Sequence, residues 1–329
     1  AVILPLYRRI REKFADQLTF LCYDYVDLAW RHTYCGLFSM KKDDATWYFL
    51  DNEQYFDRPE LYGYVDDGER FGFFSRAVVK MLDHLEFWPD VIHCNDWQTA
   101  LIPIYLKDDG VREDRYRSIR TVLTIHNIEY QGKYGADTME DLFGLNRGDW
   151  YESGVLQMDG CVNLMKGAMV TADAVTTVSP TYAAQLRESA YAAGLDSVVR
   201  SIQWKFSGVL NGIDMERYDP ASDTNLTANY SLRRMAGKAK DKAALQRMMG
   251  LAERKDTPVV AMVSRLVSHK GLDLVCETLD YFMEKDMQLV VLGKGDGKYE
   301  SFFSWAQAKY PGRVAVHLGY SESLAMQIS

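Results

Sequence analysis

Short β-rich runs alternate with helical patterns along most of the chain, and that alternation leaves few folds open. "DVIHC" (Asp90 to Cys94) reads as a strand and Trp97 to Lys107 as a helix. "SIRTVLTI" is a strand, "GCVNLMKGAMVTA" helical, "DAVTTVS" a strand, and Pro180 stands near the next helix start, where its missing N–H costs little. "GVLNGID" (Gly208 to Asp214) closes the first series. The second half repeats the scheme: "TPVVAMVSRL", "MQLVVLG" and "RVAVHLG" as strands, "KGLDLVCETLDYFMEK" and "KYESFFSWAQAKY" as helices. Strands alternating with helices predict parallel sheets, and consecutive apolar residues suit strands buried on both faces.

The region from Thr19 to Tyr64 departs from this. "TFLCYDYVDL", "CGLFSM" and "TWYFLD" predict strands of a hairpin insertion, followed by the aromatic and acidic loop "NEQYFDRPELYGYVDDGER". Rings packed beneath a surface meander are the favoured reading of that loop, with a sugar-stacking lip as the other. "RYDPASDTNLTANYS" is rich in turn formers and predicts a domain linker. The chain opens on "AVILPLY" without an initiator Met and stops inside a helical pattern, "SESLAMQIS", so both domains are expected to be incomplete.

At 329 residues there is room for two domains. Lys and Arg number 38 against 46 Asp and Glu, a formal net charge of -8, which argues against general affinity for nucleic acid. A local basic pocket for one small anion remains open. The five cysteines contain no CxxC pair, so buried reduced thiols in a cytoplasmic protein are expected rather than zinc or disulfides. No apolar run approaches the roughly 18 residues of a membrane span, and no signal peptide is evident.

Ligands of open α/β sheets collect beyond the carboxyl ends of the strands. Four strand ends carry unusual chemistry: "VIHCNDW" (Asn95, Asp96, Trp97), "TIHN" (His126, Asn127), "VLNGID" (Asn211, Gly212) and "VSRLVSHKG" (Arg265, Lys270). Taken singly, most have ordinary explanations. Asp96 could cap the helix that follows, His126 could bond a backbone carbonyl, and Asn211-Gly212 could be a turn. Arg265 and Lys270 are harder to dismiss. Two cations near a helix N-terminus oppose its dipole unless an anion sits between them, and helix-start N–H groups are ready donors to phosphate. A forked guanidinium and a compact ammonium together suit a diphosphate, with solvated surface cations as the competing account. "LGKGDGKY" does not fit GxGxxG and reads as a tight connection.

These strings resemble one family: the bacterial glycogen synthases and plant starch synthases, glucosyltransferases of the GT-B fold. The resembling segments include "FDRPELYG", "DVIHCNDWQTALIPIYLK", "TVLTIHNIEYQGKYG", "GVLNGID", "VAMVSRLVSHKGLDL" and "VHLGYSESLA", in the family's order over most of the chain. The resemblance implies two Rossmann-like, doubly wound α/β domains facing across a cleft. Residues 1–208 would be the acceptor-side domain and 209–329 the nucleotide-sugar domain. It implies ADP-glucose as donor, an α-1,4-glucan as acceptor, retention of configuration, and no metal or other cofactor. Arg265 and Lys270 would grip the diphosphate, Tyr320 beside Gly319 would lie against the adenine, and His126 would sit near the transferred glucose. Asp96 and Asn211 would bond sugar hydroxyls, while Trp97, Asn127 and Gln131 would shape the sugar pocket.

Two departures stand out. Family members begin with a strand and a Lys-Thr-Gly-Gly loop, and carry a Glu-bearing segment beyond "GYSESLA"; neither is in these 329 residues, which are therefore expected to be inactive alone. Two alternatives stay open: another retaining GT-B glucosyltransferase, such as a sucrose-forming enzyme, and a non-catalytic glucan-binding module. A nucleotide-dependent dehydrogenase is more distant, given the poor GxGxxG match.

Overall fold

β1 (Val2–Pro5), β2 (Thr19–Leu28), β3 (Arg31–Lys42) and β4 (Ala45–Asp51) form one sheet in the order β1-β4-β3-β2. The hairpin between β3 and β4 turns on Asp43 and Asp44, whose φ values of 53° and 58° give the primed two-residue turn that matches strand twist. β1 joins β4 in parallel, so the hairpin insertion is built onto a parallel pair.

In this computed structural model, which describes residues 1–110 and 113–329, the chain divides into two compact units, Ala1–Asn211 and Gly212–Ser329. The first unit has a second sheet of four parallel strands: β5 (Val91–Asn95), β6 (Arg120–Ile125), β10 (Ala174–Thr177) and β11 (Phe206–Gly208), ordered β11-β10-β6-β5. Three short antiparallel strands, β7 (Lys133–Tyr134), β8 (Gln157–Met158) and β9 (Cys161–Asn163), lie between them in sequence. One core joins both larger sheets through the helices Asp67–Met81, Leu101–Gly110 and Leu164–Thr171, with Leu37, Phe73, Ile104, Leu123 and Met165 all buried. Each such large side chain stabilises the unit by about 1.5–3 kcal/mol. The free edges of β1 and β5 line one apolar groove of about 590 Å³, with Val2, Leu4, Phe74, Val91 and Asn95 among its walls.

In the second unit β12 (Val259–Val263), β13 (Gln288–Gly293) and β14 (Val314–Leu318) make a three-stranded parallel sheet. The central strand is buried at every position, as its unbroken apolar run requires. Val291 packs with Leu272, Leu279 and Phe303 on one face; Leu292 packs with Leu245 and Leu324 on the other.

Several expectations need correction. Residues 160–172 are not one helix. Cys161 and Val162 pair with β7 and β8, and Asn163 then caps the helix Leu164–Thr171 by accepting the Lys166 N–H at 3.0 Å. The strand expected over 208–214 lies upstream, at β11, because Phe206 is the buried anchor and its neighbour β10 ends at Thr177. The expected linker 217–231 is tied to the second unit: the Ala228 N–H bonds Asp241 at 2.8 Å and Gln327 reaches the Asn225 carbonyl at 3.1 Å. In the acidic aromatic loop Tyr55 and Phe56 are buried, Tyr64 stacks against Arg58 and Arg70, and Tyr62 alone of these rings is half exposed.

Candidate functional site

The carboxyl ends of β5 and β6 are locked to each other. The Asp96 N–H continues the ladder to the Thr124 carbonyl at 3.0 Å, and the chain then turns sharply. Asp96 has φ 56° and ψ -174°, a region that is essentially glycine's and costs a side-chain residue on the order of 1–3 kcal/mol. The turn aims the Asp96 carboxylate back at β6, where Oδ1 accepts the His126 N–H at 2.8 Å and faces the Asn127 N–H at 3.4 Å. Asp96 makes no helix cap. A short 3₁₀ turn, Trp97–Thr99, comes first and the α-helix begins at Leu101, later than the sequence predicts.

His126 is exposed, and its Nε2 lies 2.9 Å from Asn95 Oδ1. Asn127 uses its side-chain oxygen to accept the Glu129 N–H at 3.0 Å, which tightens the loop after β6. Trp97 is half-buried, set edge-on to Phe71 with ring centres 5.3 Å apart. Its ring leaves no room at Gly132, where a Cβ would come 2.7 Å from Trp97 Cε3 and where φ is +63°. Behind it, Tyr182 accepts the Ile128 N–H at 3.4 Å; burial pushes the Tyr182 phenol pKa up, with Glu129 and Asp96 adding to the shift.

Gln131 takes a different place from the one expected. It is buried, its Nε2 donates to the Ile128 and Ala193 carbonyls at 3.0 Å each, and its Oε1 accepts from Asn163 at 2.7 Å. Its amide holds the loop together from inside. Asn211 is exposed, three residues past β11, and β10 lies between β11 and β6. The sheet therefore brings Asp96, Trp97, His126 and Asn127 together and leaves Gln131 beneath and Asn211 to one side. Asn95, which the sequence places at the same strand end without giving it a role, joins this group through His126.

In the second unit the remaining candidates also gather at the carboxyl end of a parallel sheet. Ser264 and Leu266 extend β12 by donating to the Leu292 and Lys294 carbonyls at 3.1 and 3.0 Å. Leu266 is fully buried, so the alternation of an extended chain turns Arg265 outward, where it is exposed. This approach needs glycine opposite: a Cβ on Gly295 would lie 2.2 Å from the Leu266 carbonyl oxygen. Lys270 ends the single turn Ser268–Lys270, and Gly271 (φ 72°) opens the helix Leu272–Met283. Lys270 is exposed two positions before that helix. Gly319 donates to the Gly293 carbonyl at 3.0 Å, fixing the end of β14, and Tyr320 is 86% exposed. Among the described residues no cluster of three or more His, Cys, Asp or Glu is placed to hold a metal ion, and no helix is long and apolar enough to cross a membrane.

The family model for the starch synthase catalytic domain matches residues 1–201. The chain belongs to that family. It is 45% identical over 327 residues to the glycogen synthase of Ligilactobacillus salivarius, covering 99% of this chain and 68% of that protein. Against the glycogen synthase of Geobacillus stearothermophilus the identity is again 45%, over 99% of this chain and 67% of the relative. The catalytic domain of starch synthase IV from Arabidopsis thaliana, solved bound to ADP and acarbose, superposes with a TM-score of 0.87 at 29% identity, covering 99% of this chain and 68% of that one. The fold is thus GT-B and the chain is a glycosyltransferase of the glycogen and starch synthase type. The strained Asp96 turn and the His126 it holds mark the sheet end where this chain's candidate sugar site lies.

Proposed function

We propose that the protein transfers glucose from ADP-glucose to the non-reducing end of an α-1,4-glucan with retention of configuration. Residues 1–208 would serve the acceptor side and 209–329 the nucleotide sugar. The observation that carries the assignment of the sugar site is the pair of interlocked strand ends, Asn95–Asp96 with His126–Asn127, held at a cost in backbone strain. Strain of this kind persists where the surroundings over-determine it, and binding or catalytic sites are where it clusters.

Arg265 and Lys270 would hold the diphosphate and stabilise the charge that develops on it as the bond to the sugar breaks. Tyr320, exposed beside Gly319, offers a ring face to the adenine. His126 would contact the transferred glucose, with Asp96, Asn127 and Asn211 bonding hydroxyls nearby and Trp97 forming a wall. In this reading the bond from sugar C1 to phosphate oxygen breaks, the bond from C1 to the acceptor hydroxyl oxygen forms on the same face, and the hydroxyl proton passes to the departing phosphate. Retaining glycosidases use two carboxylates about 5 Å apart. Here the Asp96 carboxylate is engaged with the backbone of His126, which supports a route without a carboxylate nucleophile. The reaction would take place in the cytoplasm.

The test is incorporation of labelled glucose from ADP-glucose into glycogen by the intact enzyme, with UDP-glucose as competing donor and fructose 6-phosphate as competing acceptor. Transfer to glycogen with retained anomeric configuration is expected. Transfer to the sugar phosphate instead, or glucan binding with no turnover, would overturn the assignment.

A further inference from the structure

Asn95 ends β5, and its side chain reaches the neighbouring strand end, where Oδ1 lies 2.9 Å from His126 Nε2. An amide oxygen can only accept, so the ring nitrogen facing it carries a proton. A neutral imidazole has one N–H; placed at Nε2, it leaves Nδ1 as a lone pair. We propose that Asn95 is a positioning residue that holds His126 in the Nε2-protonated tautomer, so that Nδ1 is presented to the substrate as an acceptor for a sugar hydroxyl. The part of this that concerns substrate rests on the transfer reading above.

Both partners are delivered by fixed backbone. Asn95 is paired with Thr124 in the parallel ladder, and its carbonyl accepts the Thr99 hydroxyl at 2.9 Å. The Asp96 N–H bonds the Thr124 carbonyl, and the Asp96 carboxylate takes the His126 N–H. With Cα positions set on both sides, the ring has one partner within hydrogen-bond reach at Nε2 and a defined direction for Nδ1.

The chemistry of the partner matters. Histidines in active sites are often oriented by a carboxylate, which also favours the charged ring. The carboxylate of the adjoining strand end, Asp96, is turned to the backbone, and the ring is met at Nε2 by a neutral amide. Asn95 therefore fixes the tautomer without adding a charge that would favour imidazolium. Neither Asp nor Leu at 95 does both.

The opposite amide orientation makes the opposite claim. If Nδ2 of Asn95 faced the ring, it would donate to an Nε2 lone pair and the proton would sit on Nδ1. Nitrogen-15 NMR of the His126 ring in this chain, taken well above pH 7, separates the two. A pyrrole-type shift at Nε2 and a pyridine-type shift at Nδ1 are expected, with both moving toward averaged values in Asn95→Leu. The reverse pattern, or an unchanged spectrum in Asn95→Leu, overturns the positioning role.

The kinetic arm uses the intact enzyme. Asn95→Leu should lower kcat roughly tenfold with little change in the KM for ADP-glucose, as for other residues that orient a ligand-contacting group. In a His126→Ala background the same change should cost nothing further, because its effect runs through the ring. Equal losses in both backgrounds, with the expected ring spectrum, would overturn the acceptor role while leaving the transfer reading intact. Absence of glucose transfer by the unmodified enzyme would instead strike the transfer reading, and the ring spectrum would still judge the positioning claim.

Discussion

The two sheet ends that gather the candidate residues are built in opposite ways. At the ends of β5 and β6 the groups are tied down: Asp96 to the His126 backbone, His126 to Asn95, Asn127 to its own loop, Trp97 against Phe71. In the second unit, Lys270 and Tyr320 stand exposed on well-fixed backbone. A neutral sugar offers many weak, directional bonds, and recognising it rewards groups already in position. A diphosphate offers concentrated charge that can draw long cationic side chains into place. The contrast predicts that changes in the first region alter stability as well as turnover, whereas changes at Lys270 and Tyr320 alter turnover alone.

The largest effect should come from the support behind the first region. Arg70 is wholly buried, paired with Asp67, donating to the Tyr55 carbonyl at 2.7 Å, and set one residue before the Phe71 that meets Trp97. Removing one partner of a buried ion pair strands the other, so Arg70→Ala should destabilise the chain by about 3–5 kcal/mol. Urea unfolding measures this; a loss under 1 kcal/mol would mean the loop and helix are held by apolar packing alone.

Next come the cations. Lys270→Ala and Arg265→Ala in the intact enzyme should each lower kcat by on the order of 100-fold. For Lys270→Ala the urea midpoint should stay put, with stability changed by no more than about 0.5 kcal/mol as at other surface positions. A variant that loses activity and stability together would erase the contrast between the two regions.

A smaller effect probes the strained turn itself. Asp96→Ala loses the carboxylate and keeps the unfavourable backbone; Asp96→Gly loses the carboxylate and relieves it. The glycine variant should be the more stable of the two by about 1–3 kcal/mol. Equal stabilities would show that the backbone at 96 relaxes when its side chain lets go of His126.

How much of this the sequence disclosed depends on the range of the interaction. β13 was legible because the near-continuous apolar run of "MQLVVLG" suits a strand buried on both faces, and the helix start at Pro180 because Pro at the first turn is a local signal; the Ser179 side-chain cap before it was not read. The chemistry at "NDW" and "HN" was legible as residues at strand ends. What they do to one another was not, because Asn95 and Asp96 meet His126 across 31 and 30 positions of sequence. Asp96 looked like a helix cap since nothing in "CNDWQ" announces a positive φ at a non-glycine residue. The resemblance put Gln131 in the pocket, and its buried bonding was not legible because its partners, Asn163 and the Ala193 carbonyl, are distant in the chain. The strand expected at 208–214 moved to Phe206 since the length of a ladder is set by its neighbour.

The smallest predicted effect is one of pH, and it lies again in the first unit. Arg58 holds Asp66 through two hydrogen bonds, at 2.7 and 2.6 Å, just ahead of the helix that carries Arg70 and Phe71. That hydrogen-bonded guanidinium lowers the Asp66 carboxyl pKa below its ordinary 3.8, against a smaller opposing effect of burial. A carboxyl whose pKa is lower folded than unfolded binds fewer protons in the native state, so its stabilisation is complete above the unfolded pKa and is lost as pH falls through the folded one. Asp66→Asn removes that contribution. The stability gap between the natural chain and the variant should therefore be constant at neutral pH and close progressively below about pH 4, with the natural chain the more stable above it. Urea titrations of both chains at pH 3, 5 and 7 measure the gap. A gap that widens on acidification would mean Asp66 is held by its protonated form, and the Arg58 clamp would then have no part in fastening the first region.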